Sequence, residues 1–270
     1  MSSFLQSVMA ERRHDVWRES ELLPLERLEK MVGTLPKCRS LKERLRRPAG
    51  SLQATSIIAE VKKASPSAGV LCQSYNPAAL ARTYERAGAI GISVLTEPRY
   101  FQGKDDDLKQ VRQAVSLPLL RKDFLSDPYQ VFETRALGAD SILLIAAGLE
   151  DHLLKELYII ALAIGLEVIV EAHTRAELER ALPLDQAILG VNSRNLNTLA
   201  TDLAVARELA ALIPPGRLTI AESGLKSRRE IEDLEQHGYK GFLIGETLLK
   251  SDNPSTTLRA LLGPDHSEPL

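Results

Sequence analysis

A (β/α)₈ TIM barrel preceded by an N-terminal helical extension is the fold this sequence predicts, on three observations. Short apolar runs recur along the chain with helix-length segments between them. Each run is nearly continuous in apolar character rather than alternating, as parallel strands covered by helices require. Six of them end in a charged, polar or glycine residue: IIAEVK at Lys62, LPLLRK at Lys122, LEVIVE at Glu171, AILGVN at Asn192, LTIAES at Ser223 and FLIG at Gly245. Parallel strands deliver such ends to one side of the sheet, which is where this kind of barrel keeps its chemistry.

The bulk properties fit. A chain of 270 residues, 44% apolar and 26% charged, can build one large core, and single α/β barrels commonly run to about 250 residues. One catalytic barrel is expected over residues 51–262, after an extension over 1–50 and before a tail, 263–270, that has no apolar face and should fray. The formal net charge of −2 gives no sign of a nucleic-acid surface or a polybasic membrane anchor. The local basic stretch from Lys37 to Arg47 reads first as a solvated helix face. The opening MSSFLQSVMAERRHD lacks the charge-then-apolar order of a secretory signal. The longest apolar stretch, around Leu157 to Leu166, falls far short of the roughly 20 residues that span a bilayer. Cys38 and Cys72 form no C-x-x-C arrangement, so neither a disulfide framework nor a zinc signature is present. A cytoplasmic protein is expected, with both thiols structural.

Taken in order, the strands are expected at Ile57 to Val61, Ile90 to Leu95, Leu117 to Leu120, Ser141 to Ile145, Glu167 to Val170, Ala187 to Val191, Leu218 to Ala221 and Phe242 to Ile244. Helical spacing lies between them at Pro77 to Arg86, Asp105 to Ala114, Pro128 to Leu137, Asp151 to Ile164, Ala176 to Leu182, Asp202 to Leu212 and Arg228 to Gln236. A repeated punctuation supports the alternation: Gly88-Ala-Ile-Gly, Gly138-Ala-Asp-Ser and Gly238-Tyr-Lys-Gly each stop a helix and feed a strand. Glycine tolerates the left-handed conformation that ends a helix. Doubly wound sheets use the same device.

The first fifty residues stand outside this rhythm. Phe4 to Arg18 and Leu25 to Leu35 carry helical spacing, and Ser40 to Arg47 can form a short basic helix before Pro48 and Gly50 break the chain. The extension could cover the bottom of the barrel, lie over its mouth or mediate dimerisation; a monomer or weak homodimer is expected.

Two glycine pairs suggest a phosphate site: Ser223-Gly224 after the seventh strand and Gly245-Glu246 after the eighth. Loops at those places in such barrels often hold phosphate through backbone N–H groups and the start of a short helix. Ser65, after the first strand, could add a hydroxyl or amide from across the mouth. Ionisable residues at the strand ends are harder to explain as packing. Glu60, Lys62, Lys122, Glu171 and Glu222 would all sit near one mouth, and buried charges are costly unless paired or functional. Lysines and glutamates at close quarters can supply a proton donor and acceptor together. General acid–base chemistry on a phosphorylated small molecule follows, with Glu60 open to a second reading as a structural ion pair.

Other residues carry simpler explanations. His173 stands two positions after Glu171, but HTRAEL reads as a helix entry with Thr174 as N-cap. Asp105 to Asp107 open a helix, where carboxylates suit the dipole. With no histidine at ligand spacing, neither metal nor cofactor is expected. Lys122 in KDF leaves a Schiff-base lysine as the runner-up chemistry.

IIAEVKKASPS (Ile57 to Ser67), GISVLTEPRYFQG (Gly91 to Gly103), LLRKDFLSDPYQ (Leu119 to Gln130), VNSRNL (Val191 to Leu196) and AESGL (Ala221 to Leu225) closely resemble the indole-3-glycerol-phosphate synthases. The resemblance covers roughly residues 50 to 262 in uninterrupted order. It implies an enzyme of tryptophan biosynthesis that closes 1-(2-carboxyphenylamino)-1-deoxyribulose 5-phosphate to indole-3-glycerol phosphate, losing carbon dioxide and water. It further implies Lys122 as the general acid and Glu171 as the catalytic carboxylate. Lys62 would pair with the substrate carboxylate, and Glu60 would be a second base. Asn192, Arg194 and Glu222 match positions that orient substrate and lysines; Ser65, Ser223, Gly224, Gly245 and Glu246 match the phosphate cradle, Glu246 through its backbone. Two residues depart from the family pattern: Ala68 stands where a lysine is common, and Ala172 where valine is usual. The alternatives are phosphoribosylanthranilate isomerase, which needs a Cys and Asp pair not found at the strand ends here, or another phosphosugar-binding barrel.

Overall fold

The computed structural model describes residues 4–46, 55–196 and 198–263. Eight parallel strands close into a barrel: β1 (Ile57–Val61), β2 (Gly91–Leu95), β3 (Leu119–Lys122), β4 (Ser141–Ile145), β5 (Glu167–Ala172), β6 (Ile188–Asn192), β7 (Thr219–Glu222) and β8 (Gly241–Ile244). Each strand pairs with its sequence neighbours, and β8 closes the ring against β1 with Phe242 opposite Ile57. Nearly every strand residue is buried. That accounts for the continuous apolar runs, since one face fills the barrel and the other meets helices.

The predicted strands are all present, with ends displaced by a residue or two. The third shows why. Its apolar run is Leu117 to Leu120, yet the ladder runs Leu119–Lys122 because Val94 and Leu95 of β2 pair with Arg121 and Lys122. Arg121 is fully buried on the outer face, where Thr96, Glu133, Thr134 and Asp105 accept its N–H groups. A polar residue whose partners are supplied by other elements belongs in a strand as well as an apolar one does.

Helices cover the outside of the barrel. α4 (Pro77–Arg86), α5 (Asp105–Ala114), α6 (Pro128–Ala136), α7 (Asp151–Ala163), α8 (Arg175–Ala181), α9 (Ala204–Ala210) and α10 (Arg228–Gln236) follow the expected segments. The side chains of Asn76, Asp127, Thr174 and Ser227 cap α4, α6, α8 and α10 by accepting first-turn N–H groups. Gly88, Gly138 and Gly238 take φ of 102°, 94° and 99°, the left-handed conformation expected of the repeated punctuation. Beyond the expected elements are α11 (Glu246–Leu249), α12 (Pro254–Leu262) and a small antiparallel ribbon pairing Ala64–Ser65 with Gly69–Val70 in the loop after β1. Ala68 lies in the turn of that ribbon.

The first helices engage both ends of the barrel. α1 (Phe4–Leu22) meets the loops that follow the strands: Phe4 packs edge-on against Tyr100 at 5.0 Å, Met9 approaches Gly148, and Arg12 pairs with Asp123. α2 (Leu25–Val32) packs on α6, where Leu28 shares a small core with Val16 and Tyr129. α3 (Leu41–Leu45) reaches the opposite end. Its first two N–H groups donate to Glu167 at the start of β5, and Leu41 and Leu45 press on Gly91 and Gly241, which open β2 and β8. The covering of the bottom and the approach to the mouth, posed as alternatives by the sequence, thus both occur. The expected boundary near residue 50, with Pro48 and Gly50, and the tail after Gly263 lie outside the described residues.

Candidate active site

At the end of the barrel where the strands finish lies a cavity of about 850 Å³. Its lining includes all twelve residues proposed from the sequence: Glu60, Lys62, Ser65, Lys122, Glu171, Asn192, Arg194, Glu222, Ser223, Gly224, Gly245 and Glu246. Neither Cys38 nor Cys72 lines it; both are free thiols elsewhere.

The charged residues alternate in sign. Lys122, last in β3, places Nζ 2.6 Å from Glu222 Oε2 and 3.3 Å from Glu171 Oε2. Those carboxylates come from the ends of β7 and β5, so three strands meet at one ammonium. Glu60 and Lys62, two apart at the end of β1, share a face, and Lys62 Nζ donates to Glu60 Oε1 at 2.5 Å. Asn192 ends β6 opposite Glu222 in the ladder, and its Oδ1 accepts the backbone N–H of Arg194 at 3.0 Å.

These contacts set the protonation states. Burial disfavours the charge on Lys122, but Glu222, Glu171 and Glu60 outweigh it and hold the ammonium protonated well above its ordinary range. A Schiff-base lysine needs the opposite shift, toward a free amine. Burial alone would raise Glu171; Lys122, His173 and Asn192 overcome it and hold that carboxyl below the usual range. Glu222 is pushed up to about 7 by burial and by the charges of Glu171 and Glu60, against the pull of Lys122. Glu222 Oε1 is buried and has no hydrogen-bond partner among the described residues.

Glycines shape the floor. Gly190 in β6 leaves room for Glu222: a Cβ there would stand 2.6 Å from Glu222 Oε1. At Gly245 a Cβ would run into the side chain of Glu60, so this glycine serves the carboxylate as well as any bound anion. Ser223 and Gly224 both adopt left-handed φ, 65° and 81°. For serine that conformation is uncommon, and both residues line the cavity.

Glu246 differs from expectation in its side chain. Its carboxylate bridges Arg194 Nη2 at 3.0 Å and Lys250 Nζ at 2.7 Å. Neutralised by two cations, it need not repel a nearby phosphate. The apolar part of the lining was not anticipated: Phe4, Leu95, Phe101, Phe124, Leu143, Ile145, Leu196 and Leu243 face the cavity. Apolar residues at strand ends look like core in a sequence, so only the barrel's closure reveals them as a wall. Ala172, just past Glu171, is fully buried. The Asp105 to Asp107 run holds no metal cluster among the described residues; Asp105 instead accepts from Arg121 at 2.9 Å.

Comparison with known proteins agrees with this arrangement. The family model for indole-3-glycerol phosphate synthase matches residues 5–261. An indole-3-glycerol phosphate synthase of Azospirillum brasilense is 52% identical over 206 residues, covering 76% of this chain and 79% of its own length. One from Rhodospirillum rubrum is 44% identical over 264 residues, 97% of this chain and 100% of that protein. Among solved structures, a thiamine phosphate pyrophosphorylase from Pyrococcus furiosus superimposes with a TM-score of 0.57 over 78% of this chain and 95% of its own, at 13% identity, a likeness of fold alone. A match that spans both the helical extension and the whole barrel, at these identities, places the chain in the indole-3-glycerol phosphate synthase family.

Proposed function

We propose that this chain closes 1-(2-carboxyphenylamino)-1-deoxyribulose 5-phosphate to indole-3-glycerol phosphate, with Lys122 as the general acid of ring closure. The observation that carries the assignment is the seat of Lys122 Nζ between Glu222 and Glu171 in a cavity with both an apolar wall and a glycine-lined polar rim. The apolar wall suits the aromatic ring. Ser65, Ser223, Gly224, Gly245 and the backbone of Glu246 suit the phosphate.

The aromatic carbon bearing the carboxylate attacks the ribulose carbonyl, and Lys122 gives a proton to the alkoxide that develops. Glu171, held ionised, stabilises the positive charge that passes to the anilino nitrogen. Lys62 pairs with the departing carboxylate and keeps the ring in line, while Asn192 and Arg194 orient the sugar. Carbon dioxide then leaves with its electrons restoring the ring system. Loss of the hydroxyl as water needs one further proton, from Lys62 or Lys122, and a base to take a proton from the methylene carbon between the nitrogen and the former carbonyl carbon; Glu60 or Glu222 serves there. Positioned acids and bases of this kind typically contribute 10²–10⁴-fold each.

Ring closure, decarboxylation and dehydration can each be served by lysine and glutamate as acids, bases and charge partners, so activity should persist in EDTA. Loss on chelation with recovery on adding a divalent ion would overturn that. No helix among the described residues is long and apolar enough to cross a membrane, and the two free thiols suit a cytoplasmic setting in which the chain acts as a monomer or weak homodimer on a small phosphorylated substrate, without nucleic acid. The direct test is indole fluorescence on mixing protein and substrate. Absence of the indole signal, with a folded protein by circular dichroism, would refute the assignment.

A further inference from the structure

Behind Glu171, outside the cavity lining, the structure holds an ionisable group that the mechanism does not use. His173 follows β5 two residues after Glu171, with its side chain 11% exposed. Nε2 lies 3.2 Å from Glu171 Oε1, and Nδ1 lies 3.2 Å from Glu177 Oε2. Glu177 Oε2 also accepts the backbone N–H of His173 at 2.7 Å, while the Glu177 N–H is held by the Thr174 cap. The first turn of α8 thus fixes the ring from one side and presents it to Glu171 on the other.

The chemistry of that placement is restrictive. A neutral imidazole carries one N–H and one bare lone pair. Here both ring nitrogens lie 3.2 Å from carboxylate oxygens, Nδ1 in a hydrogen bond with Glu177 and Nε2 in an ion-pair contact with Glu171 that is not aligned as a hydrogen bond. A neutral ring would leave two buried carboxylates with no positive charge between them on this side, whereas the doubly protonated ring sets a cation 3.2 Å from each. Geometry therefore selects the cation. We infer that His173 is a positioning residue, an imidazolium clamped by Glu177 that fixes and neutralises Glu171 and so makes the two carboxylates beside Lys122 unequal.

The groups facing each other can be enumerated. Glu171 and Glu177 face His173. Lys122 from β3, Asn192 from β6 and His173 face Glu171, and Glu222 from β7 with Glu60 from β1 completes the charge around Lys122. Glu222 lacks any such histidine and keeps an orphaned Oε1. Burial acts against the charge on His173, yet its two glutamates raise it to about 10. Glu171 is thereby kept an anion for the cationic stage of ring closure, and Glu222 is left as the carboxylate that can accept and release a proton. The inference rests on the proposed role of Glu171.

Two measurements test it, and the first does not depend on that role. In protein labelled with ¹⁵N at histidine, the His173 signals, identified by their absence in His173→Asn, should show both ring nitrogens protonated from pH 6 to 9. In Glu177→Gln the transition to the neutral ring should move down into that range. A His173 that titrates near 6.5 in the unaltered protein, as a free histidine does, overturns the proposal even if the enzyme makes indole-3-glycerol phosphate. The second is the pH profile of kcat for His173→Asn: without the imidazolium the paired carboxylates Glu171 and Glu222 together bind a proton more tightly, so the acid limb should move up by about one pH unit, a tenfold change in the proton affinity of the pair, with KM changed less. A lowered kcat with an unmoved acid limb would mean a merely structural residue and would also overturn it. If His173→Asn does not fold, the same profile measured on Glu177→Gln decides, since Glu177 stands outside the cavity lining.

Discussion

Arg12 of α1 grips Asp123, the residue after Lys122, with two parallel hydrogen bonds: Nε to Oδ1 and Nη2 to Oδ2, each 3.1 Å. Both side chains are buried, and Asp123 also accepts from Thr96 Oγ1 at 2.7 Å. The extension is therefore joined to the residue that follows the proposed general acid at the end of β3. The charge of Arg12 is buried with its partner rather than solvated.

Arg12→Met should strand a buried carboxylate, a loss of about 3–5 kcal/mol where one partner of a buried pair is removed, moderated by Arg121 Nη2 at 3.5 Å. Thermal denaturation checks it. An unchanged melting temperature would mean that Arg121 alone satisfies Asp123. Burial pushes Asp123 up, but Arg12 and Arg121 prevail and hold it below its ordinary value. A depressed carboxyl contributes stability above its unfolded value of about 3.9 and loses that contribution as pH falls through the folded one. The wild-type protein should thus lose more stability between pH 5 and 3 than Asp123→Asn does.

Replacing Lys122 by Met keeps roughly the same stem and deletes the proposed proton donor. Turnover should fall by about 10²-fold or more, the scale of general acid catalysis, while substrate still binds. The variant also leaves Glu171 and Glu222 adjacent without their shared cation, so one of them should take up a proton at neutral pH. Ring closure at a near wild-type rate would remove Lys122 from the role of acid.

The barrel and the polar part of the cavity lining are legible in the sequence because both depend on strand ends. A continuous apolar run that stops at a charged, polar or glycine residue states where a parallel strand meets the mouth, and six such stops gather at one end of the ring on closure. What was not legible depends on contacts between distant segments. His173 looked like the entry to α8, and Thr174 does cap that helix; the contact with Glu171 follows from the period-2 geometry of the strand end, which sets residues 171 and 173 on one face. Gly190 reads as an ordinary strand glycine until Glu222 is placed beside it. The ribbon after β1 has strands of two residues each, too short for alternation to register.

Gly224 and Gly245 belong to one phosphate cradle in the sequence, but the structure separates their responses to enlargement. Gly224 sits at φ 81° with a would-be Cβ 2.5 Å from Thr201 Cγ2. Gly224→Ala should mainly raise KM for the phosphorylated substrate and leave KM for the dephosphorylated one unmoved. Gly245→Ala drives a methyl into Glu60, so kcat should fall along with the rise in KM. If Gly224→Ala weakens both substrates equally, the phosphate is held elsewhere or the loop has misfolded.

The extension should divide into two functions that point variants can separate. Phe4 lines the cavity and meets Tyr100 edge-on, so Phe4→Ala should raise KM with little change in melting temperature. Leu41 and Leu45, at 1% and 4% exposure, lie at the opposite end of the barrel from the cavity. Truncating either to alanine opens a cavity at about 2–5 kcal/mol and should lower the melting temperature while KM holds. Steady-state kinetics and thermal melts on the same preparations check both. A Phe4→Ala enzyme with unaltered KM would show that α1 braces the loops after β2 and β3 without touching substrate, and the role of the extension would then rest on Arg12 and Asp123 alone.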